Sequence, residues 1–403
     1  MSKPCASQKK SWSYVVRNFT PAWFAANMGT GAISILFHSF PYANDSTTMN
    51  VFTLIFFGLN VLMFLVFSAI SASRYLLFPG VWSLMIHHPV QSLFLGTFPM
   101  GEHNFSPNRI RRGKSLLYFL WACWWINVLN SIAICFLMIH VMSTAHNHAL
   151  DKMTAVWLLP VVSLIVASSS GGVIAPSLYA YSASHALITI TLSGVLVVIG
   201  LTLALMMLVI YLLRLIVYGL PPTATVISVF LPLGPTGQAA FSILLIGQCF
   251  HKFLPVYDGT SQILRSPTTG PILDTICTTI SFVLWSMCTM WMLFAFLSIQ
   301  NVARKGPIPF KVPFWGLIFP NGVYANITIS LGETFDSGFF RVWGAMYAAL
   351  TLCMWCYVAW TTARLAYTME IFEAPCLENI DIRRRGRSTA LECDGVRGTR
   401  ACG

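Results

Sequence analysis

Carboxylates are scarce in this chain of 403 residues, which has 13 Asp and Glu against 24 Lys and Arg, and only 9% charged residues in all. A soluble globular chain carries roughly 25% charged residues, so the composition, with 56% hydrophobic residues, is that of an integral membrane protein. None of the acidic residues falls in the middle of an apolar stretch, and only Asp274 lies within one at all. Cation pathways and carboxylate proton relays hold Asp or Glu inside the membrane, so this absence argues against both. It also excludes an aspartyl protease, which needs two buried Asp. An H-E-x-x-H zinc motif is missing too, and His140, His146, His148 and His185 cluster near the ends of apolar stretches rather than facing each other at depth, as a b-type haem would require. Neither an enzyme, a metal nor a cofactor is expected. The start of the chain is basic and polar and runs into a full apolar span without an A-x-A-like cleavage site, so no cleavable leader is expected. The eleven Cys are scattered, and the C-x-x-C at 353–356 lies mid-span, where it reads as packing.

What is present is a series of long apolar stretches. A bilayer core of about 30 Å needs about 20 such residues, and ten stretches qualify: 21–40, 51–72, 81–100, 116–142, 153–176, 184–212, 223–247, 272–298, 312–331 and 339–363. Residues 1–20 and 364–403 form polar tails, the second of them Gly/Arg-rich and expected to be disordered. With both termini cytoplasmic, seventeen of the 24 Lys and Arg fall on that side, among them Arg74, Lys152, Arg214 and Lys311. The main exception is the loop with Arg109, Arg111, Arg112 and Lys114, which is a solvated loop or an anion-gathering mouth. Sequons at Asn44 and Asn104 fall in loops assigned outside. The 13 Trp suit a chain with many interfacial crossings, where indoles settle at the headgroups.

Proline is missing from the second, fourth, sixth, eighth and tenth stretches, apart from their flanks, whereas the odd stretches concentrate Pro, Gly and small polar groups. The first has Gly29, Thr30 and Gly31; the third Pro89, Gln91, Gly96 and Pro99; the fifth Pro160, Ser168, Ser169, Ser170, Gly171 and Gly172. In the seventh, Pro232, Gly234, Pro235, Thr236, Gly237 and Gln238 lie within seven residues, and the ninth has Pro313, Pro320, Asn321 and Gly322. Proline removes a helical hydrogen bond, and backbone freed at membrane depth must be buried in protein or line a wet cavity. The alternation predicts five helical hairpins, with broken odd helices in an inner pore ring and smooth even helices in an outer, lipid-facing ring. An anion crossing such a pore would meet weak donors: freed N–H groups, hydroxyls and half-helix N-termini. The interior-negative potential drives an anion outward by about 2.3 kcal/mol per charge per 100 mV, so efflux needs no coupling ion. The glycines at 29–31 and 234–237 either bind anions through backbone N–H groups or permit close helix crossing. His87 and His88 either attract anions at the cytoplasmic mouth or face headgroups.

The stretches "NFTPAWFAANMGTGAISILFHSFPY", "HHPVQSLFLGTFPMG", "VWLLPVVSLIVASSSGG", "SVFLPLGPTGQAAFSILLIGQ" and "FWGLIFPNGVYANI" together resemble the fungal sulfite efflux pumps of the tellurite-resistance/dicarboxylate transporter family, which also includes slow anion channels. The resemblance covers roughly 15–375. It implies a homotrimer in the plasma membrane, ten helices per protomer, and a pore in each protomer for sulfite or bisulfite, with malate or another C4 dicarboxylate as the alternative cargo. It also implies a phenylalanine on the ninth helix that plugs the pore. Phe319 in "LIFPNG" matches that position best, Phe314 less well, and a packed core phenylalanine is the bland alternative.

Overall fold

The computed structural model describes residues 12–42, 46–100, 113–254, 261–375 and 377, and its regular elements are all helices. The sequons at Asn44 and Asn104, the basic residues Arg109 to Arg112 and most of both tails lie outside the described residues. Ten elements carry the architecture. The odd ones are α1 (Phe24–His38), α3 (Thr97–Met100), α5 (Leu159–Tyr179), α7 (Leu233–Phe253) and α9 (Ile318–Thr334). The even ones are α2 (Thr47–Leu77), α4 (Lys114–Thr144), α6 (Ala183–Tyr218), α8 (Thr269–Ala303) and α10 (Gly338–Tyr367).

The even helices have 30 to 36 residues each, or about 45–54 Å at 1.5 Å per residue. Freedom from proline beyond the first turn, where α8 holds Pro271, lets them run unbroken, and their ends are written locally. Ser46 and Ser182 cap α2 and α6 by accepting from the N–H of Met49 and His185, and Gly219, at φ 74°, ends α6. Within the most apolar stretch of each even helix only 11% to 33% of the residues are buried, against 94% and 83% in Ala155–Tyr179 and Val226–Phe253. Large apolar side chains such as Leu62, Val209, Ile216 and Trp360 are exposed, as lipid contact requires. Cys353 and Cys356 also lie on the exposed side of α10, so the expectation that they pack in the interior is overturned.

The odd segments share one local design. Each opens as a 3-10 turn and continues as an α-helix: Pro21–Trp23 into α1, Ser92–Gly96 into α3, Ala155–Leu158 into α5, Val226–Phe230 into α7 and Val312–Leu317 into α9. The expected mid-span breaks are therefore misplaced. Pro160, Pro235 and Pro320 lie in the first turn of their α-helices, and Pro232 directly precedes α7, positions where a missing N–H leaves no intrahelical bond unmade. These prolines start helices instead of breaking them. Pro176 is the one that α5 holds in its interior, and the carbonyl that it deprives of a partner, on Gly172, accepts from the Cys249 thiol at 3.7 Å.

Among the described residues, seven helices are long and apolar enough to cross a membrane by themselves. The first and ninth stretches fall short. In α1 and α9 the α-helical part has 15 and 17 residues because the 3-10 turn takes up the start of the stretch. Contacts between odd segments follow chain order and close from the fifth back to the first, among the 3-10 turns and again among the α-helices. Each even helix packs on its odd neighbours. Indoles join the two sets: Trp124 donates to the Ala167 carbonyl, Trp285 to Thr328 Oγ1, Trp343 to Tyr324 Oη and Trp355 to Thr30 Oγ1, at 2.8 to 3.1 Å. These four tryptophans thus bond helix to helix.

Close approach of the odd segments depends on missing side chains. A Cβ on Gly96 would meet the Leu159 carbonyl oxygen at 2.5 Å and its carbon at 2.6 Å, backbone that no rotamer change can move. Gly194 on α6 has open space around it. Gly96→Ala is expected to lower the melting temperature of the detergent-solubilised protein, by overpacking worth about 1–3 kcal/mol. Gly194→Ala should leave it equal or raise it, since Ala is the better helix former by about 1 kcal/mol.

Candidate functional site

The five 3-10 turns converge on one end of the molecule, the end at which the chain's two described termini meet. Tyr14 Oη donates to the Phe372 carbonyl at 3.1 Å, and the Phe372 ring stacks on Trp23 at 5.1 Å. At this end opens a cavity of about 470 Å³. Ala25, Met28, Phe94, Leu159, Leu231 and Phe314 supply apolar wall, while Asp151, Lys152, Arg214 and Lys311 line it with three cations against one carboxylate. Arg214 is 3% exposed and donates to the carbonyls of Gly219 and, at 2.7 Å, Asp151. Lys311 pairs with Glu373 at 2.9 Å, with both side chains about half exposed. In such an exposed pair the attraction is worth about 0–1 kcal/mol.

Phe319 is the second residue of α9 and 7% exposed. A Cβ on Gly234, the second residue of α7, would be 3.9 Å from Phe319 Cε1. The absence of a side chain there leaves room for the ring between α7 and α9. Phe314 lies instead in the vestibule wall, half-buried and tilted against Phe310 at 4.7 Å.

The small polar residues of the odd segments are buried, and nearly all their hydroxyl hydrogens go to carbonyls. Ser169 and Ser170 both donate to the Val166 carbonyl, at 2.9 and 3.0 Å, and Thr236 donates to that of Pro232 at 2.8 Å. Ser168 sits 2.6 Å from both the Ser193 carbonyl and Ser242 Oγ, between α6 and α7. Gln238 donates through Nε2 to Ser169 Oγ. Thr30 donates to the Ala26 carbonyl and accepts from Trp355, and Asn321 Oδ1 accepts from Tyr347 Oη at 2.6 Å, so both are tied towards α10. Hydroxyls committed to carbonyls one turn back satisfy the helix from within. They are not free donors for a passing anion in this conformation.

Gly29, Gly31 and Gly237 are buried. A Cβ on Gly29 would meet Ile318 at 3.0 Å, and one on Gly237 would meet Val323 at 3.0 Å and Cys288 Sγ at 3.3 Å. Of the two readings for these glycines, close crossing is the one with contacts to support it. Gln91 is buried beside the vestibule residue Val90, and its Oε1 has no partner. His88 uses Nδ1 to accept from the N–H groups of Val90 and Gln91, both at 3.2 Å, and so holds the turn that leads into the third 3-10 segment. His87 is exposed, with Nδ1 2.7 Å from the Ser83 carbonyl. Nearby, His146 Nε2 bonds to the Ile86 carbonyl at 2.9 Å, and burial first, then the charge of His146, holds the pKa of His148 below the usual imidazole value.

The cationic vestibule was not legible as a site from the residue pattern, because its charges come from three places: a short turn after α4, the end of α6 and the approach to α9. One signal existed. Arg214 is the single charge between Ala186 and Tyr218, in the longest apolar helix of the chain.

The voltage-dependent anion channel family model matches residues 18–363. The chain is 35% identical over 372 residues to a sulfite efflux pump of Arthroderma benhamiae, an alignment covering 91% of this chain and 96% of that protein. It is 34% identical over 372 residues to a sulfite efflux pump of Trichophyton rubrum, with the same coverage. The malic acid transport protein of Schizosaccharomyces pombe is more distant, at 20% identity over 356 residues, covering 87% of this chain and 78% of that protein.

Tyr347→Phe would leave Asn321 Oδ1 buried without its donor, a loss of about 1–3 kcal/mol. The expected readout is a lower melting temperature for the purified protein. A melting temperature equal to wild type would show that the bond contributes nothing net.

Proposed function

The chain belongs to the voltage-dependent anion channel family, and from that membership we propose that it exports sulfite or bisulfite across the plasma membrane. In this reading both termini are cytoplasmic, the protein is a homotrimer, and each protomer encloses its own pore between the odd segments, with the even helices outside. The observation that supports the reading is a cavity lined by Lys152, Arg214, Lys311 and a single carboxylate, among segments whose contacts close in cyclic order. A net positive mouth raises the local concentration of anions and disfavours cations. The near-full-length likeness to two sulfite efflux pumps supports sulfite as the cargo over the more distant dicarboxylate alternative. The role is transport, with no chemistry done on the cargo.

Phe319 acts as the gate. Its ring fills the space that Gly234 leaves, so an anion passes only when the ring turns aside or the segments part. The vestibule cations and Phe319 replace most of the expected hydroxyl lining, and Gly29, Gly31 and Gly237 serve to bring the segments together. Of the polar residues expected to line the pore, Gln91, Ser168, Ser169, Ser170, Thr236 and Gln238 remain structural supports of that lining.

Expression in a sulfite-sensitive yeast strain is expected to restore growth on sulfite and to speed efflux from sulfite-loaded cells. Restored malate uptake without sulfite protection would overturn the assignment in favour of the dicarboxylate reading. Phe319→Ala, compared with wild type at equal surface expression, is expected to raise sulfite conductance in reconstituted liposomes several-fold. Unchanged conductance would remove the ring from the gate.

A further inference from the structure

Arg214 carries a charge that no carboxylate among the described residues neutralises. It is 3% exposed, yet its two bonds go to backbone carbonyls, those of Gly219 and Asp151, and its Nε has no partner. The ion pairs formed among the described residues, His251 with Asp274, Lys311 with Glu373 and Arg341 with Asp336, leave it out. Taking a cation out of water without a counter-charge costs several kcal/mol. A guanidinium has five N–H groups in a planar fork, of which the two carbonyls occupy two. The same residue lines the vestibule cavity, whose wall also holds Lys152 and Lys311. A buried, uncompensated, half-used fork beside an open cavity is built for an anion that arrives from outside the chain.

We propose that Arg214 is the docking residue of an oxyanion site in the vestibule, where sulfite or bisulfite rests before it passes Phe319. This deepens, and rests on, the sulfite reading. The fork presents parallel N–H groups that match two oxygens of one oxyanion, a geometry that a spherical halide cannot return. Arg214 therefore separates oxyanions from chloride, while Lys152 and Lys311 attract either by charge. The Lys311 to Glu373 pair is exposed, and an exposed pair of this kind is weak enough for an incoming anion to take the place of the carboxylate. The cavity's single other charge, Asp151, lends Arg214 its carbonyl.

The test uses the full-length protein reconstituted in liposomes, with initial efflux measured against internal sulfite and, separately, chloride. Arg214→Lys keeps the charge and removes the fork; Lys152→Gln removes a charge that holds no backbone in this structure. Arg214→Lys is expected to raise the half-saturating sulfite concentration about tenfold, the scale of one charge-assisted bidentate contact, with a maximal rate near wild type and chloride changed less than about twofold. Lys152→Gln should raise both by a similar small factor that shrinks at high salt. In the second arm, sulfite and sulfate at equal ionic strength should raise the melting temperature of solubilised wild type where chloride does not, and this shift should vanish in Arg214→Lys. Unchanged half-saturation and an intact oxyanion shift in Arg214→Lys would overturn the proposal. If wild type moved malate and not sulfite, the functional reading would fail, and the melting shift would still decide whether Arg214 binds oxyanions.

Discussion

Every N–H and C=O of this chain that lies at membrane depth must find its partner inside the protein, because lipid supplies none. The even helices meet that demand by length alone: uninterrupted, with their one proline, Pro271, in the first turn of α8, they pair their backbone internally and leave apolar side chains to the lipid. The odd segments cannot do so, since each changes from a 3-10 turn to an α-helix within the protein. Their solution is to bury the change. Prolines stand where an N–H would be orphaned, the turns pack on one another in cyclic order, and the surrounding helices keep lipid away.

Close packing of the odd segments then follows from small residues, and uniqueness from polar ties. Gly96 lets the third segment lie against the backbone of Leu159, and Gly234 makes the hollow next to Phe319. Serine and threonine hydroxyls return to carbonyls one turn back, so they add no unsatisfied group to a dry interior. Indoles on α4, α8 and α10 reach across to odd segments and fix the rotation of each helix against its neighbour. Such bonds are worth about 0.6–2 kcal/mol each in a membrane, so the ties select one arrangement and packing holds it.

Charge enters where the 3-10 turns leave space. Starting the inner α-helices short of the full apolar stretch opens a vestibule at the end where Tyr14 and Phe372 meet, and Lys152, Arg214 and Lys311 reach it from three different parts of the chain. A net positive mouth of this kind raises the local concentration of anions and disfavours cations. Phe319 is packed beside Gly234 at the start of α9.

The amino-acid sequence by itself determined the membrane class, the even helices and the odd-even alternation, because hydropathy and proline content act locally and survive any tertiary arrangement. It also singled out Gly234, through the prolines and glycines around it, while Phe319 was singled out by the family resemblance. The tertiary structure alone decided how those signals were used. That Pro160, Pro235 and Pro320 begin helices depends on where each 3-10 turn hands over to the α-helix, a boundary set by packing among five segments. That Thr30 and Asn321 face α10, and that the serine hydroxyls are taken by carbonyls, depends on helix rotation, which composition does not encode. Most of all, Arg214 looked like one more positive charge at a helix end. Only the fold buries it, gives its fork two carbonyls and no carboxylate, and places it in the wall of a cavity.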